Sequence, residues 1–271
     1  MTTPGLRPYL WMLTGCFWFS LMGLLIHALK DDCDWQVQAV ARSGLATAFA
    51  LAAARLTRTR LVFLTPKVLW VRSVAGSLSM VATFYALTRM PVSDVLTLTN
   101  TFPVWVAVLS WLGGGERPTP GVWLAVLSAV GGVAVIFRPD LGGLPFAAVS
   151  ALVASFFTAV AMMGLNRLHG VPSLAVVVHF SAVATAAAVI SLFAFDRVTG
   201  NERLAEPVHL LELFGVGLTA VIGQVFLTRA FRAGPATGVS VVGLSQVVMV
   251  MGFPRRPPGG RRSTGSRYSG R

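Results

Sequence analysis

Arg42 is the residue whose placement most needs a chemical reason. It stands about seven residues into an apolar run, Gln36–Ala54, hence roughly 10 Å along the axis of a helix there. A guanidinium at that depth in hydrocarbon is costly unless it is paired or wet. As a site residue it would attract a carboxylate or phosphate. The alternative is that its long stem snorkels to the outer interface. Arg72, Gly76, Ser79 and Thr83 follow i, i+4, i+7, i+11 spacing and so share one helix face. That face either lines a cavity, with Arg72 near the cytoplasmic mouth, or uses its small residues for close helix packing. Ser93, Thr97, Asn100 and Thr101 make a polar stripe on the next run. The Asn100 amide needs partners, in a cavity or on a neighbouring helix. Pro103 removes a backbone donor and frees a carbonyl near Thr99. Such a break exposes backbone to a solute or simply kinks the helix. Gln224, Ser245 and Gln246 are the polar candidates of the second half, and His179 occupies the place equivalent to Arg42. Its imidazole would couple protons if it titrates near neutrality, and otherwise is a hydrogen-bonded packing residue.

Other chemistry finds no support. There is no Walker loop, dinucleotide fingerprint, zinc signature or nucleophile elbow. Cys16 and Cys33 fit no metal spacing and suggest no disulfide framework. His27, His169 and His209 are scattered without a carboxylate at ligand spacing. No cofactor, metal or catalytic residue is expected, and neither ATP-driven transport nor soluble enzymology is indicated. Aromatics such as Phe17-Trp18-Phe19, Trp105 and Trp111 are lipid-facing or belt residues.

The elements that must position these residues are membrane spans. Of 271 residues, 55% are hydrophobic and only 12% charged, half the charge of an ordinary soluble domain. The formal charge of +12 invites a nucleic-acid partner, but six arginines lie in the last 18 residues and the remaining +6 is spread over short loops. About 20 apolar residues cross the hydrocarbon core. Nine runs qualify: Tyr9–Leu29, Gln36–Ala54, Val68–Leu87, Val92–Leu112, Val122–Phe137, Phe146–Leu165, Ser173–Phe193, Leu210–Thr228 and Ala236–Phe253. The fifth and ninth are short and rely on flanking residues or bilayer thinning. The first run is too long and lacks a small-residue cleavage site for a signal peptide, so it reads as a retained helix.

Charge asymmetry orients the chain. With the N-terminus in the cytoplasm, inside segments hold ten basic residues and outside segments five before the tail. That bias predicts a cytoplasmic N-terminus. Glu116, alone among the acids on the inside, caps or orients the helix that follows.

Placing Ala86 over Ala230, an offset of 144, aligns Pro91 with Pro235 and Val95 with Val239. A shift of about 137 lays the helix of Arg42 over that of His179. The chain thus reads as two halves of five helices, residues 1–140 and 141–253, followed by a basic tail, 254–271. An odd repeat unit inserts in opposite orientations, as in many secondary transporters. The tenth helix of such a pattern is missing, because residues 254–271 hold Arg, Pro, Gly and Ser and no apolar run. A frameshift or truncation in a GC-rich gene accounts for such a tail. The alternative is a disordered basic segment binding anionic lipid.

The run Tyr85-Ala86-Leu87, Met90-Pro91-Val92-Ser93-Asp94, Thr101-Phe102-Pro103-Val104-Trp105, Gly115-Glu116-Arg117, followed by Gly131-Gly132, resembles the end of the first EamA repeat of the drug/metabolite transporter superfamily. Arg42 matches a frequent family position. The resemblance, over residues 9–253, implies an all-α, multi-pass bundle of two inverted five-helix repeats around a central solute cavity. It further implies a secondary transporter of a small metabolite or drug-like solute in the inner membrane, working by alternating access, with substrate contacts drawn from Arg42, Arg72, Ser79, Thr97, Asn100, Pro103, His179, Gln224 and Gln246. The partners expected are that solute and the lipid bilayer, with a second copy of the chain as a candidate; nucleic acid is not one. The rival readings are an inactive membrane protein from a truncated gene and a membrane-embedded enzyme. The latter would need acids or histidines clustered at one depth, and the acids here lie almost wholly in loops.

Overall fold

The structure is a computed structural model and describes residues 5–29, 33–87, 89–90, 92–113, 118–137, 146–194 and 206–252. Its helices are α1 (Arg7–Ala28), α2 (Trp35–Leu56), α3 (Lys67–Leu87), α4 (Val92–Thr99), α5 (Phe102–Leu112), α6 (Pro120–Phe137), α7 (Phe146–Asn166), α8 (Ser173–Ala194), α9 (Pro207–Ala233), α10 (Ala236–Gly243) and α11 (Ser245–Gly252). Proline sits in the first turn of α1, α5 and α9, where its missing N–H would be unpaired in any case. The Gly115-Glu116 pair and the tail beyond Gly252 lie outside the described residues.

Among the described residues seven stretches are long and apolar enough to cross a membrane: α1, α2, α3, Asp94–Leu112 through α4 and α5, α7, α8 and α9. Pro120–Gly132 and Ala236–Val250 are shorter apolar segments, at the two runs the sequence marks as short. Large apolar side chains face outward, among them Leu124, Val135, Phe193 and Leu211, while Arg72, His179, Gln224 and Thr228 are inside. A polar interior within an apolar shell is the arrangement a hydrocarbon solvent selects. Where helices touch, small residues let backbones approach: Ala39, Ala46, Ala50 and Ala54 on α2 and Ala147, Ala148, Ala151, Ala154, Ala159 and Ala161 on α7 are all buried.

The two runs expected as single spans four and nine are each broken. The first breaks at Asn100-Thr101, with Pro103 the second residue of α5; the second breaks at Leu244, where there is no proline. Helix bounds carry one half onto the other: α2 and α8 differ by 138 at both ends, and α4 and α10 by 144 at both ends. Packing repeats with them. α1 lies along α9 as α7 lies along α3, α2 pairs with α8, and α11 meets α1 as α5 meets α7. α9 runs antiparallel to α1, since Gly15 faces Gly223 while Leu25 faces Gly215. α7 runs antiparallel to α3, since Arg72 faces Gly164 while Ala82 faces Ser150. α8 lies parallel to α3, with Ser73 on His179 and Gly76 on Phe180, and α2 is antiparallel to α8. α2 lies parallel to α9, since Ala41 and Leu45 pack with Leu213 and Val216 while Ala50 and Ala54 pack with Ala220 and Val221; α2 therefore opposes α1, α3 runs with α1, α7 opposes α1, and the halves are inverted.

Candidate functional site

At the centre of the bundle a narrow, nearly closed crevice of about 10 Å³, room for one water molecule, lies between α2, α8 and α9. Its walls come in pairs 138 positions apart: Arg42 with Phe180, Ser43 with Ser181, and Ala46 with Ala184; Ala220 and Gln224 of α9 complete it. The crevice therefore sits on the pseudo-twofold axis between the halves. The pairing also corrects a register: the helix bounds place Phe180, not His179, opposite Arg42.

Symmetry of shape is not symmetry of charge. Arg42 Nε and Nη1 reach only thioethers, Met22 Sδ at 3.3 Å and Met80 Sδ at 3.1 Å, which are weak acceptors. Arg72 is 1% exposed. The sequence places it near a mouth, whereas it is folded back along its own helix into the core. Its Nη2 donates to Gln224 Oε1 at 3.2 Å and its Cζ lies 4.1 Å over the Phe180 ring. Its Nε and Nη1 are buried without an acceptor. Two glycines make this placement feasible. A Cβ on Gly76 would meet Arg72 Nη1 and come within 2.8 Å of Phe180, and one on Gly164 would come within 3.1 Å of Arg72 Cβ. Among the described residues neither arginine meets a carboxylate.

His179 lies beside this cluster with both ring nitrogens engaged. Nε2 is 3.1 Å from the Phe63 carbonyl and Nδ1 2.7 Å from Ser73 Oγ. A carbonyl only accepts, so Nε2 carries the proton and Nδ1 accepts from the serine: a neutral imidazole satisfies both. The Trp70 ring packs edge-on at 4.7 Å. His179 thus clasps the segment before α3 to α8.

The other expected contacts do not join the crevice. Ser79 Oγ bonds Thr158 Oγ1 at 2.6 Å, tying α3 to α7. Asn100 Nδ2 donates to its own Leu96 carbonyl at 2.7 Å. Thr97 is buried on α4 and Pro103 in the first turn of α5. Gln246 offers its backbone carbonyl to Ser20 Oγ at 3.2 Å. Residues near the two breaks meet the opposite half: Cys16 Sγ lies 3.4 Å from the Gly243 carbonyl, and Thr101 Oγ1, which bonds its own Leu98 carbonyl at 2.6 Å, approaches Ser155 Oγ at 3.0 Å. Phe180, Met80, Ser43 and Ser181 were missed by the sequence reading. The signal that finds three of them, Ser43 against Ser181 and Phe180 against Arg42, is the 138-residue offset. A larger cleft of about 370 Å³ lies between α3, α5 and α7, walled by aliphatic side chains such as Val68, Val71, Leu109 and Val160, with Arg167 at its edge. It is bigger but chemically plain; its inner wall at Gly164 backs onto Arg72.

The family model described as EamA-like transporter matches residues 6–138, α1 to α6. The pseudopaline exporter CntI of Pseudomonas aeruginosa strain UCBPP-PA14 is 30% identical over 242 residues, 88% of this chain and 82% of that one. The chain belongs to the EamA-like transporter family. Human solute carrier family 35 member G1 is similar as well, 25% identical over 92% of this chain and 72% of that protein. A crystal structure of another protein matches this fold with TM-score 0.75 at 19% identity, over 90% of this chain and 85% of the other. That match is one of fold alone. The chain is thus a multi-pass membrane transporter by family.

Proposed function

We propose that this chain is a secondary carrier that moves a small solute across the inner membrane by alternating access. One observation carries the reading: the polar crevice lies on the axis relating two inverted halves, so that exchanging the conformations of the halves moves the opening from one membrane face to the other. Residues 1–140 and 141–253 are the two repeats, and Arg42, Arg72 and Gln224 are the substrate contacts. The cleft between α3, α5 and α7 is the approach from one face, because its wall at Gly164 adjoins Arg72. The two-to-one excess of basic residues supports a cytoplasmic N-terminus, which puts that cleft on the cytoplasmic side. The exporter among the relatives favours outward transport.

The test is counterflow by the purified full-length chain in proteoliposomes, with a panel of labelled amino acids, organic acids, nucleosides and sugars. Saturable exchange of at least one solute, lost in Arg42→Ala with normal insertion, is the expected result. Exchange of none would remove the carrier reading; exchange untouched by Arg42→Ala would remove Arg42 from the site.

A further inference from the structure

We propose that the central site takes an organic anion, and that a carboxylate of the solute supplies the acceptor that Arg72 and Arg42 lack. The inference rests on the carrier reading and adds to it the charge and chemical class of the cargo.

Arg72 presents five N–H donors and the protein gives it one amide oxygen and one aromatic face. Nε and Nη1 are buried and unanswered. Arg42, at the wall of the crevice, has two sulfurs in place of oxygens. A buried guanidinium is retained in hydrocarbon only when something compensates it. Among the described residues no acid lines the crevice. The placement is also prepared: Gly76 makes room for the guanidinium and Gly164 for its backbone. Arg232 on the same bundle bonds Ser173 Oγ at 2.8 Å and the His169 carbonyl at 2.6 Å and leaves its Nε unanswered. Arg72 leaves both Nε and Nη1 unanswered, and its guanidinium lies directly behind Gln224 and Phe180, two walls of the crevice. The remaining walls are Ser43, Ser181, Ala46, Ala184 and Ala220 beside the Phe180 ring. The crevice is nearly closed, so the solute enters as the halves part; a planar carboxylate matches the guanidinium fork and, with a single charge, costs less to strip of water than a phosphate.

The counterflow panel, run with lactate, succinate, glutamate and citrate against succinamide, putrescine, glucose and inorganic phosphate, tests the class. Exchange of at least one carboxylate, at least tenfold faster than its neutral amide and reduced at least tenfold in Arg72→Gln but less in Arg72→Lys, is the expected result. A carrier that exchanges only neutral or cationic solutes, or only phosphate, overturns this inference and leaves the carrier reading standing. Exchange of nothing overturns both. Thermal stability of the detergent-purified protein separates ligand binding from a structural role. Arg72→Gln should melt no lower than the wild type and should lose the rise in Tm that the transported carboxylate gives. A variant that melts lower and keeps that rise would make Arg72 a packing residue. Should Arg72→Gln fail to insert, Gln224→Leu is read the same way.

Discussion

Thr47 and Thr185 meet hydroxyl to hydroxyl, Oγ1 to Oγ1 at 3.3 Å, and they stand 138 positions apart, the offset that carries α2 onto α8. A residue that touches its own repeat counterpart marks the axis. Each hydroxyl also bonds the carbonyl one turn back, Thr47 to Ser43 at 2.8 Å and Thr185 to Ser181 at 2.7 Å. With one proton apiece, the two cannot both hold those bonds and donate to each other. The contact is therefore a close approach more than a strong bond. In a double-mutant cycle of Thr47→Val and Thr185→Val, followed by unfolding in detergent, the coupling should stay below about 1 kcal/mol, in line with interhelical hydrogen bonds in bilayers. A larger coupling would make the pair a clamp.

Gly76 tests the position of Arg72 without touching its charge. Alanine there would displace the guanidinium and press on Phe180. Because both neighbours are side-chain ends that can move, Gly76→Ala should cost only about 1–2 kcal/mol of stability. Transport should nevertheless fall at least tenfold, as in Arg72→Gln. Wild-type rates in Gly76→Ala would show that the guanidinium need not lie over Phe180.

His179 separates a clasp from a proton carrier. Its two bonds satisfy the neutral ring and anchor Phe63 and Ser73 to α8. His179→Asn should lower stability by about 1–3 kcal/mol, the cost of unpaired buried groups, and leave the pH profile of transport unshifted. A profile that loses its acidic or alkaline limb would give the imidazole a role in coupling.

Much of the fold can be read from the sequence because hydrocarbon imposes long apolar runs, so that the seven longer spans found among the described residues emerge within a few residues of their bounds. The site is harder. Arg42, Arg72 and Gln224 stand out as polar atoms in apolar surroundings, and the structure brings them together. Asn100 and Ser79 stand out in the same way, yet one is satisfied by its own helix and the other by α7. Polarity shows that a group needs a partner, whereas only packing shows whether the protein provides one. A single step in register, 137 against 138, exchanges His179 for Phe180 as the counterpart of Arg42 and turns an apparent pair of titratable groups into a cation and an aromatic wall.

Cys33, in the connection between α1 and α2, gives a pH test. Burial, with the Asp34 carboxylate adding to it, pushes its thiol from the usual 9.0 up to about 11. Both causes disfavour the thiolate, the reactive form. At pH 7.5 the thiolate is then about 100-fold scarcer than at an unshifted thiol. In a Cys16→Ala background, iodoacetamide labelling should be slow at pH 7.5 and climb roughly tenfold per unit through pH 10. A plateau near pH 9 would contradict the burial of this thiol.

Pro103 makes the last prediction. Proline is the obvious reason for the break between α4 and α5, since it cannot donate to a carbonyl one turn back. The other half argues against it as the cause: α10 and α11 break at Leu244, and the position corresponding to Pro103 at an offset of 144 is Val247. What the two breaks share is a partner on the opposite half. Cys16 of α1 reaches the Gly243 carbonyl and Ser155 of α7 touches the Thr101 hydroxyl, and these helices occupy equivalent places in the two repeats. A break held by cross-half contacts survives loss of the proline, which sits in the first turn of α5 where it replaces no helical bond. Pro103→Ala should therefore transport within about twofold of the wild type and lose less than about 1 kcal/mol of stability. Thr101→Val and Ser155→Ala, which remove the contact, should each cost more than Pro103→Ala when thermal unfolding is compared. The reverse order would return the break to the proline.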